Sequence, residues 1–295
     1  MQGMTGALVT WMVLLAVPAV AQQGDDRTAQ EWFTLAESQY RAGQHAQSAD
    51  SYAKCIAAGA THPTVFYNAA CSSALAGRRE AAVAHLEGAL ARGFRDVSHL
   101  QVDADLTSLH EDPRWPALVR RCEEVAAEFV KSLGAPALRE ELLAMERVDQ
   151  AARRGESIPE LEGRTAGDVD AAHTARMKEI VATHGWPGKS LVGRDGAFAA
   201  WLLVQHADQD PAFQRRCLEL MREQPEGQVE PRNLAYLTDR VHVNEGLEQV
   251  YGTQFWTVDG ELVPRPIVAP AGVDARRSSV GLGTLAEYAA MMTGR

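Results

Sequence analysis

WFTLAESQYRAGQHAQSADSY (residues 32–52) and FYNAACSSALAGRREAAVAHL (residues 66–86) are one pattern written twice. Trp32, Leu35, Ala36, Gly43 and Tyr52 return as Phe66, Ala69, Ala70, Gly77 and Leu86, each 34 residues later. A fixed period of this length is the mark of a stacked helical repeat. Each copy predicts a helix, a turn at Gly43 or Gly77, and an antiparallel second helix, with Ala36 and Ala70 small enough for the paired helices to approach closely. Pro63 opens the second copy as a helix start signal.

The period, together with Asn68-Ala69-Ala70-Cys71 and Ala81-Ala82-Val83, resembles the tetratricopeptide repeat over residues 29–93. Two such units leave open faces, and about three are normally needed for stability. A cap is therefore expected between Gly93 and Glu128: a short helix near Val97–Val102, then Asp112-Pro113 as an N-cap opening a helix to about Val130. Leu106-Thr107-Ser108-Leu109 and Asp112-Pro113-Arg114-Trp115 resemble the degenerate last unit of bacterial tetratricopeptide arrays. The resemblance implies a peptide groove, with Phe33, Glu37, Tyr40, Tyr67 and Asn68 as its lining and Cys71 and Ala74 beside them. Members that clamp a C-terminal carboxylate use Lys and Asn in such a groove, and here only Asn68 stands nearby. An apolar or extended peptide, or the chain's own second domain, is the better expected occupant.

Ser132-Leu133-Gly134-Ala135-Pro136 breaks the helical pattern and divides a repeat region, residues 25–131, from a second domain, residues 137–295. In the second domain Leu138–Arg153, Val169–His184, Gly196–Ala207, Pro211–Met221 and Pro231–Val243 read as amphipathic helices, with a polar loop at Gly155–Asp168. Asp210-Pro211 is a further cap. The β-rich run Gln249–Val258, then Asp259-Gly260, then Glu261–Ile267 predicts a two-residue hairpin that sets Val258 opposite Glu261, Trp256 opposite Val263 and Gln254 opposite Arg265. Pro264 and Pro266 make the second strand an edge. A last helix is expected at Thr284–Met292. The fold class is therefore mainly α: an antiparallel helix-pair array of tetratricopeptide type, then a mostly helical domain with one β-hairpin.

The composition narrows the function classes. Of 295 residues, 39 are acidic and 29 basic, for a net charge of −10, and no Lys/Arg stripe interrupts the acidic balance. A phosphate backbone would be repelled, so nucleic acid is an unexpected partner. Met1–Gly24 carries no charged side chain, and Ala7–Val20 is an apolar run ending in Ala19-Val20-Ala21, a small-x-small cleavage pattern. Residues 1–21 read as a signal peptide of an exported protein, periplasmic or secreted, in preference to a membrane anchor, because the run is shorter than the about 18 residues of a spanning helix. Cys55, Cys71, Cys122 and Cys217 lie in helical stretches with apolar neighbours and read as buried thiols. Their spacing fits no zinc pattern.

His184-Gly185-Trp186-Pro187, Ser190–Gly193, Ala200–Asp208, Tyr236–Arg240 and Gln249-x-Tyr251-Gly252-Thr253-Gln254 together resemble an uncharacterised bacterial domain family over about residues 137–292. That resemblance implies no named activity. Val169, Asp170 and Arg176 follow its Val-Asp-x-x-Asn-x-x-Arg run, whereas His173 stands where Asn is usual.

Two motifs fail on spacing. Gly188-Lys189-Ser190 lacks the earlier glycine of a phosphate loop, since Thr183 holds that position, and Gly193 falls one place too late for a nucleophile elbow around Ser190. No cofactor and no metal is expected. Gln205, His206 and Asp208 crowd polar groups at the end of an apolar helix. His206 is the candidate general acid/base, with Asp208 or Asp239 fixing its tautomer. The blander account is a histidine on a helix dipole and a capping aspartate, and it weighs more. Arg240, or Arg265 beside Gln254, is placed to hold an anion bidentately, with Tyr251 and Thr253 adding hydroxyls. A buried polar network fixing the hairpin to the helices weighs equally. The leading reading is thus an exported interaction protein with a partner on its repeats, and the rival is an exported enzyme or ligand-binding protein built on that polar cluster.

Overall fold

Four helices of 13 residues each carry the repeat: α1 (Ala29–Arg41) and α2 (His45–Ala57), then α3 (Pro63–Leu75) and α4 (Arg79–Ala91). The second pair starts and stops 34 residues after the first. Gly43 and Gly77 both turn the chain at φ +72°, a left-handed conformation that glycine adopts without steric cost. Thr28 and Glu31 close a capping box on α1, and Pro63 holds the first position of α3. The recurring residues are the core: Trp32 and Phe66, Ala36 and Ala70, Tyr52 and Leu86 are all buried. Ser48 Oγ donates to the carbonyl of Ala36 at 2.9 Å and bonds Ser72 Oγ at 3.0 Å, tying α1, α2 and α3 together inside this core.

This computed structural model describes residues 27–293, and the expected signal segment, residues 1–21, lies outside them. The described residues form two units, divided between residues 126 and 127. The first is completed by α5 (Val97–Val102) and a 3-10 turn, Ala104–Leu109, which bury Leu100, Leu106 and Leu109 on the repeat core. Next comes α6 (Trp115–Ser132), which starts two residues later than Asp112-Pro113 predicts. Asp112 accepts the Arg114 N–H at 2.9 Å and also grips its guanidinium, with Nε and Nη2 both at 2.9 Å. A side chain bonded to backbone two residues on makes a turn in place of a helix cap.

The second unit runs α7 (Pro136–Arg154), α8 (Ala166–His184), α9 (Lys189–Gln205), α10 (Pro211–Arg222), α11 (Pro231–Asn244), β1 (Phe255–Val258), β2 (Glu261–Pro264), α12 (Val273–Ser279) and α13 (Leu285–Thr293). Leu142, Met177, Ile180, Val204, Cys217 and Leu237 meet in its core. α9 begins earlier than expected: a helical turn at 189–192 precedes a break at Gly193, φ 75° and ψ 173°. The hairpin has the predicted register, Val258 with Glu261 and Trp256 with Val263. Asp259 at φ 52° and Gly260 at φ 84° give the doubly left-handed turn that matches strand twist. The protein is mainly α with this one two-stranded antiparallel sheet. All four cysteines are buried free thiols, and no helix among the described residues is long and apolar enough to cross a membrane.

Candidate functional site

The first unit carries a half-open cavity of about 280 Å³ lined by Glu37, Tyr40, Tyr52, Tyr67, Asn68, Cys71, His99, Asp103 and Asp105. The two first helices of the repeats supply one wall. Glu37 and Tyr40 lie on α1, and Tyr67, Asn68 and Cys71 on α3, so residues three or four apart share a face. Tyr52 reaches in from α2. The cap closes the far side with His99 from α5 and with Asp103 and Asp105 at the start of the 3-10 turn. Four of the five expected groove residues line this cavity: Glu37, Tyr40, Tyr67 and Asn68. The fifth, Phe33, packs edge-on against Tyr52 at 6.0 Å and is absorbed into the core margin.

Its polar groups are oriented by one another. Tyr40 O–H donates to Asp105 at 2.5 Å and Tyr67 O–H to Asp103 at 2.7 Å. Tyr52 O–H donates to Glu37, whose carboxylate also accepts from Asn68 Nδ2 at 3.1 Å. Asp103 caps the 3-10 turn by accepting the Asp105 N–H at 3.0 Å, and Phe94 stacks on Tyr67 at 4.1 Å, holding the ring flat. The hydrogen bond to Asp105 pushes the Tyr40 phenol well above its ordinary range, with burial adding to it. Burial first, then the adjoining carboxylate, does the same to Tyr52 and Tyr67. Burial and the neighbouring aspartates push the Cys71 thiol up. The cavity is therefore a place of negative potential whose neutral acids are held protonated. Cys71, Asp103 and Asp105 bring one donor atom each within 4.8 Å of one another, the one such group of potential metal ligands among the described residues. A protonated thiol is a poor metal ligand, because metal binding needs the thiolate.

In the second unit the polar cluster predicted from sequence divides into separate networks. His206 sits at the end of α9, but Asp149 of α7 stands beside it, where Asp208 or Asp239 was expected. Both Asp149 oxygens lie 2.9 Å from His206 Nδ1, and the carboxylate is only 1% exposed. Arg153 Nε also lies 2.9 Å from Nδ1, and its Nη2 reaches Asp170 at 2.7 Å. Nδ1 thus lies between an anion that would take its proton and an Arg153 Nε–H that donates to it. His173 belongs to the same neighbourhood: burial lowers its pKa, Asp149 and Asp170 oppose that, and its buried Nδ1 has no hydrogen-bond partner.

Burial pulls the Asp149 pKa up, but the bonds from His206, Gln150 and Arg153 outweigh it, and the net position is below the ordinary 3.8. A depressed folded pKa gives stability that is present above the unfolded value and lost as pH falls through the folded one. Wild-type stability in urea melts is therefore expected to fall as pH drops through and below the ordinary aspartate value of about 3.9, and Asp149→Asn to flatten that limb while costing about 3–5 kcal/mol at neutral pH. An unchanged acid limb in the variant would remove Asp149 from this role.

Asp208 pairs with Arg240 at 3.1 Å and accepts from Gln214 and Asn244, both at 3.2 Å. Buried Gln214 donates to the carbonyls of Val204 and Gln205, closing the C-terminus of α9. Gln205 is buried, and its amide oxygen accepts from Trp201 Nε1 at 3.2 Å and Leu237 N at 2.8 Å. Asp239 is fully buried and accepts from the backbone N–H of Val250, Tyr251 and Thr253 and from the Thr253 hydroxyl, at 2.7 to 2.9 Å. From the other side Arg277 donates to the Tyr251 carbonyl at 2.8 Å, so the two peptides flanking Tyr251 are held by a buried anion through its N–H and by a buried cation through its carbonyl. Gln249 bonds both the N–H and the carbonyl of Gln254, at 2.8 and 3.0 Å, as a strand neighbour would. Gly252, at φ +70°, leaves no room for a Cβ beside Leu285 and Ile267. Arg265 lays its guanidinium over Trp256 at 4.8 Å, and Gln254 donates to the Thr253 hydroxyl. These groups satisfy one another and brace the hairpin. The open depression of about 760 Å³ along the loop after α7 is lined by such residues as Gly155, Ile158 and Arg164, and His206 is not one of them.

Asp103, Asp105 and His99 were not singled out by sequence. An aspartate before a helical turn is the usual sign of a cap, and Asp103 is one; its second use becomes visible only when the cap folds over the repeats. Asp149 was missed because it lies inside an amphipathic helix, 57 residues from its histidine. The one usable signal was a carboxylate next to Val148 on the buried stripe of that helix.

Compared with known families, residues 136–294 match the model of a family of unknown function, DUF6624. No curated protein and no solved structure matches the chain.

Proposed function

The chain belongs to DUF6624, a family of unknown function, and since that membership names no reaction we propose that the protein is an exported interaction protein. In this reading its first unit is a short tetratricopeptide-type array that receives an extended peptide of a partner. The observation that carries the proposal is the cavity of about 280 Å³ between the first helices of two repeats and their cap. A groove on that face is where stacked helix pairs offer side chains to an extended ligand. The 34-residue identity of the helix bounds supports the repeat class, and the apolar run at 7–20 supports export. The enzyme alternative draws less support. Of its candidates, Asp239, Gln205 and Thr253 are buried in satisfied contacts, and His206 is engaged by Asp149 and Arg153.

The test is selection of random unstructured peptides on the immobilised full chain, followed by titration calorimetry of the winners. Asn68→Ala, which removes a lining amide bonded to Glu37 and Tyr52, is expected to weaken them at least about tenfold, or about 1.4 kcal/mol. Failure to enrich any peptide, or equal binding by the variant, would defeat the proposal.

A further inference from the structure

The cavity's charge is one-sided. Three of its nine lining residues are carboxylates, Glu37, Asp103 and Asp105, and none is Lys or Arg. They converge from α1 and from the segment after α5, so they come from distant parts of the chain. Arg41 pairs with the second oxygen of Glu37 at 3.5 Å and is itself largely exposed. His99 lies 3.4 Å from Asp103 and is the one other group there able to become cationic. Around the acids stand the three phenols of Tyr40, Tyr52 and Tyr67. The volume is several times the ~30 Å³ share of one water, which suits the end of a long side chain better than a bare ion.

Resting on the peptide-binding reading above, we propose that this cavity selects a basic side chain, lysine or arginine, from an extended segment of a partner protein. The cationic head sits among Glu37, Asp103 and Asp105, and the aliphatic stem lies along the rings of Tyr40, Tyr52 and Tyr67. Charge-assisted hydrogen bonds to carboxylates are about twice as strong as neutral ones, and the phenols that already donate to those carboxylates fix where the free lone pairs point. The long side chain snorkels in the reverse of its usual sense, stem at the rim and charge inside, because the acids are inside.

The experiment uses the full chain and pools of unstructured peptides with random flanks around one fixed central residue: lysine, arginine, norleucine, citrulline or glutamate. Retention is measured by fluorescence anisotropy at low and at moderate salt. The lysine and arginine pools are expected to bind at least about tenfold more tightly than their neutral counterparts, with the margin shrinking as salt rises. Asp103→Asn with Asp105→Asn should abolish the preference. Asparagine keeps the cap through its amide oxygen, and at Asp103 its amide nitrogen can donate to the Tyr67 phenol oxygen in place of accepting from it, so thermal melts should show the variant folded. Asp50→Asn, an exposed carboxylate paired with Arg78 elsewhere on the unit, should change nothing. Equal retention of neutral or acidic pools would overturn this inference and leave peptide binding standing. Retention of no pool would overturn both. Zinc or cobalt binding with a thiolate absorption that vanishes in Cys71→Ser, and that expels the basic pools, would also overturn it in favour of a metal site.

Discussion

Replacing Asp239 by alanine is expected to destabilise the second unit by about 3–5 kcal/mol, the usual cost of breaking a buried charged network by removing one partner. The carboxylate has no exposure and holds three backbone N–H groups and a hydroxyl in the 250–253 turn. Alanine would strand those donors away from water and free the turn whose Tyr251 carbonyl Arg277 also holds. Thr253→Val removes one of the four contacts and should cost about 1.5–3 kcal/mol, as for a hydrogen bond to a charged group. Urea unfolding followed by tryptophan fluorescence measures both. If Asp239→Ala costs no more than Thr253→Val, the turn is held by something other than this carboxylate.

In the first unit, Leu86→Ala is expected to cost about 2–5 kcal/mol, because a fully buried leucine in a two-repeat core leaves a cavity that few neighbours can refill. Leu86 occupies the repeat position that Tyr52 holds in the first copy, and both are at the centre of the helix pairs. Leu75→Ala, at a 39% exposed position near the end of α3, should cost well under about 1 kcal/mol. Equal midpoints for the two variants in denaturant would mean that the 34-residue pattern does not report the core.

The two helix pairs were legible because they rest on local periodicity: the same small, aromatic and glycine positions recur 34 residues apart, and each acts through its own turn of helix. The hairpin was legible for the same reason, since Asp259-Gly260 dictates the turn and the turn dictates the register. What was not legible depends on distant approach. His206 stood out as a polar group on an apolar helix, yet its partner Asp149 comes from another helix. Asp208 and Asp239 were nearer in sequence but serve Arg240 and the 250–253 turn. α12 was missed because its seven residues, Val273–Ser279, bury just Val273 and Arg277, too few for a periodic stripe. Arg277 is buried against the carbonyls of Tyr251 and Gly283 that it satisfies, and both lie outside its own helix. Sequence placed the groove on α1 and α3 but left it open, whereas the cap supplies two of its three acids.

The most direct measurement is hydrogen–deuterium exchange of the full chain with and without a saturating selected peptide, each with a Glu37→Gln, Asp103→Asn control. The account predicts new protection in α1, α3 and residues 97–105, absent in the control, with the 239–277 network unchanged. Protection confined to the second unit, or protection of the repeats that survives in the control, would contradict it.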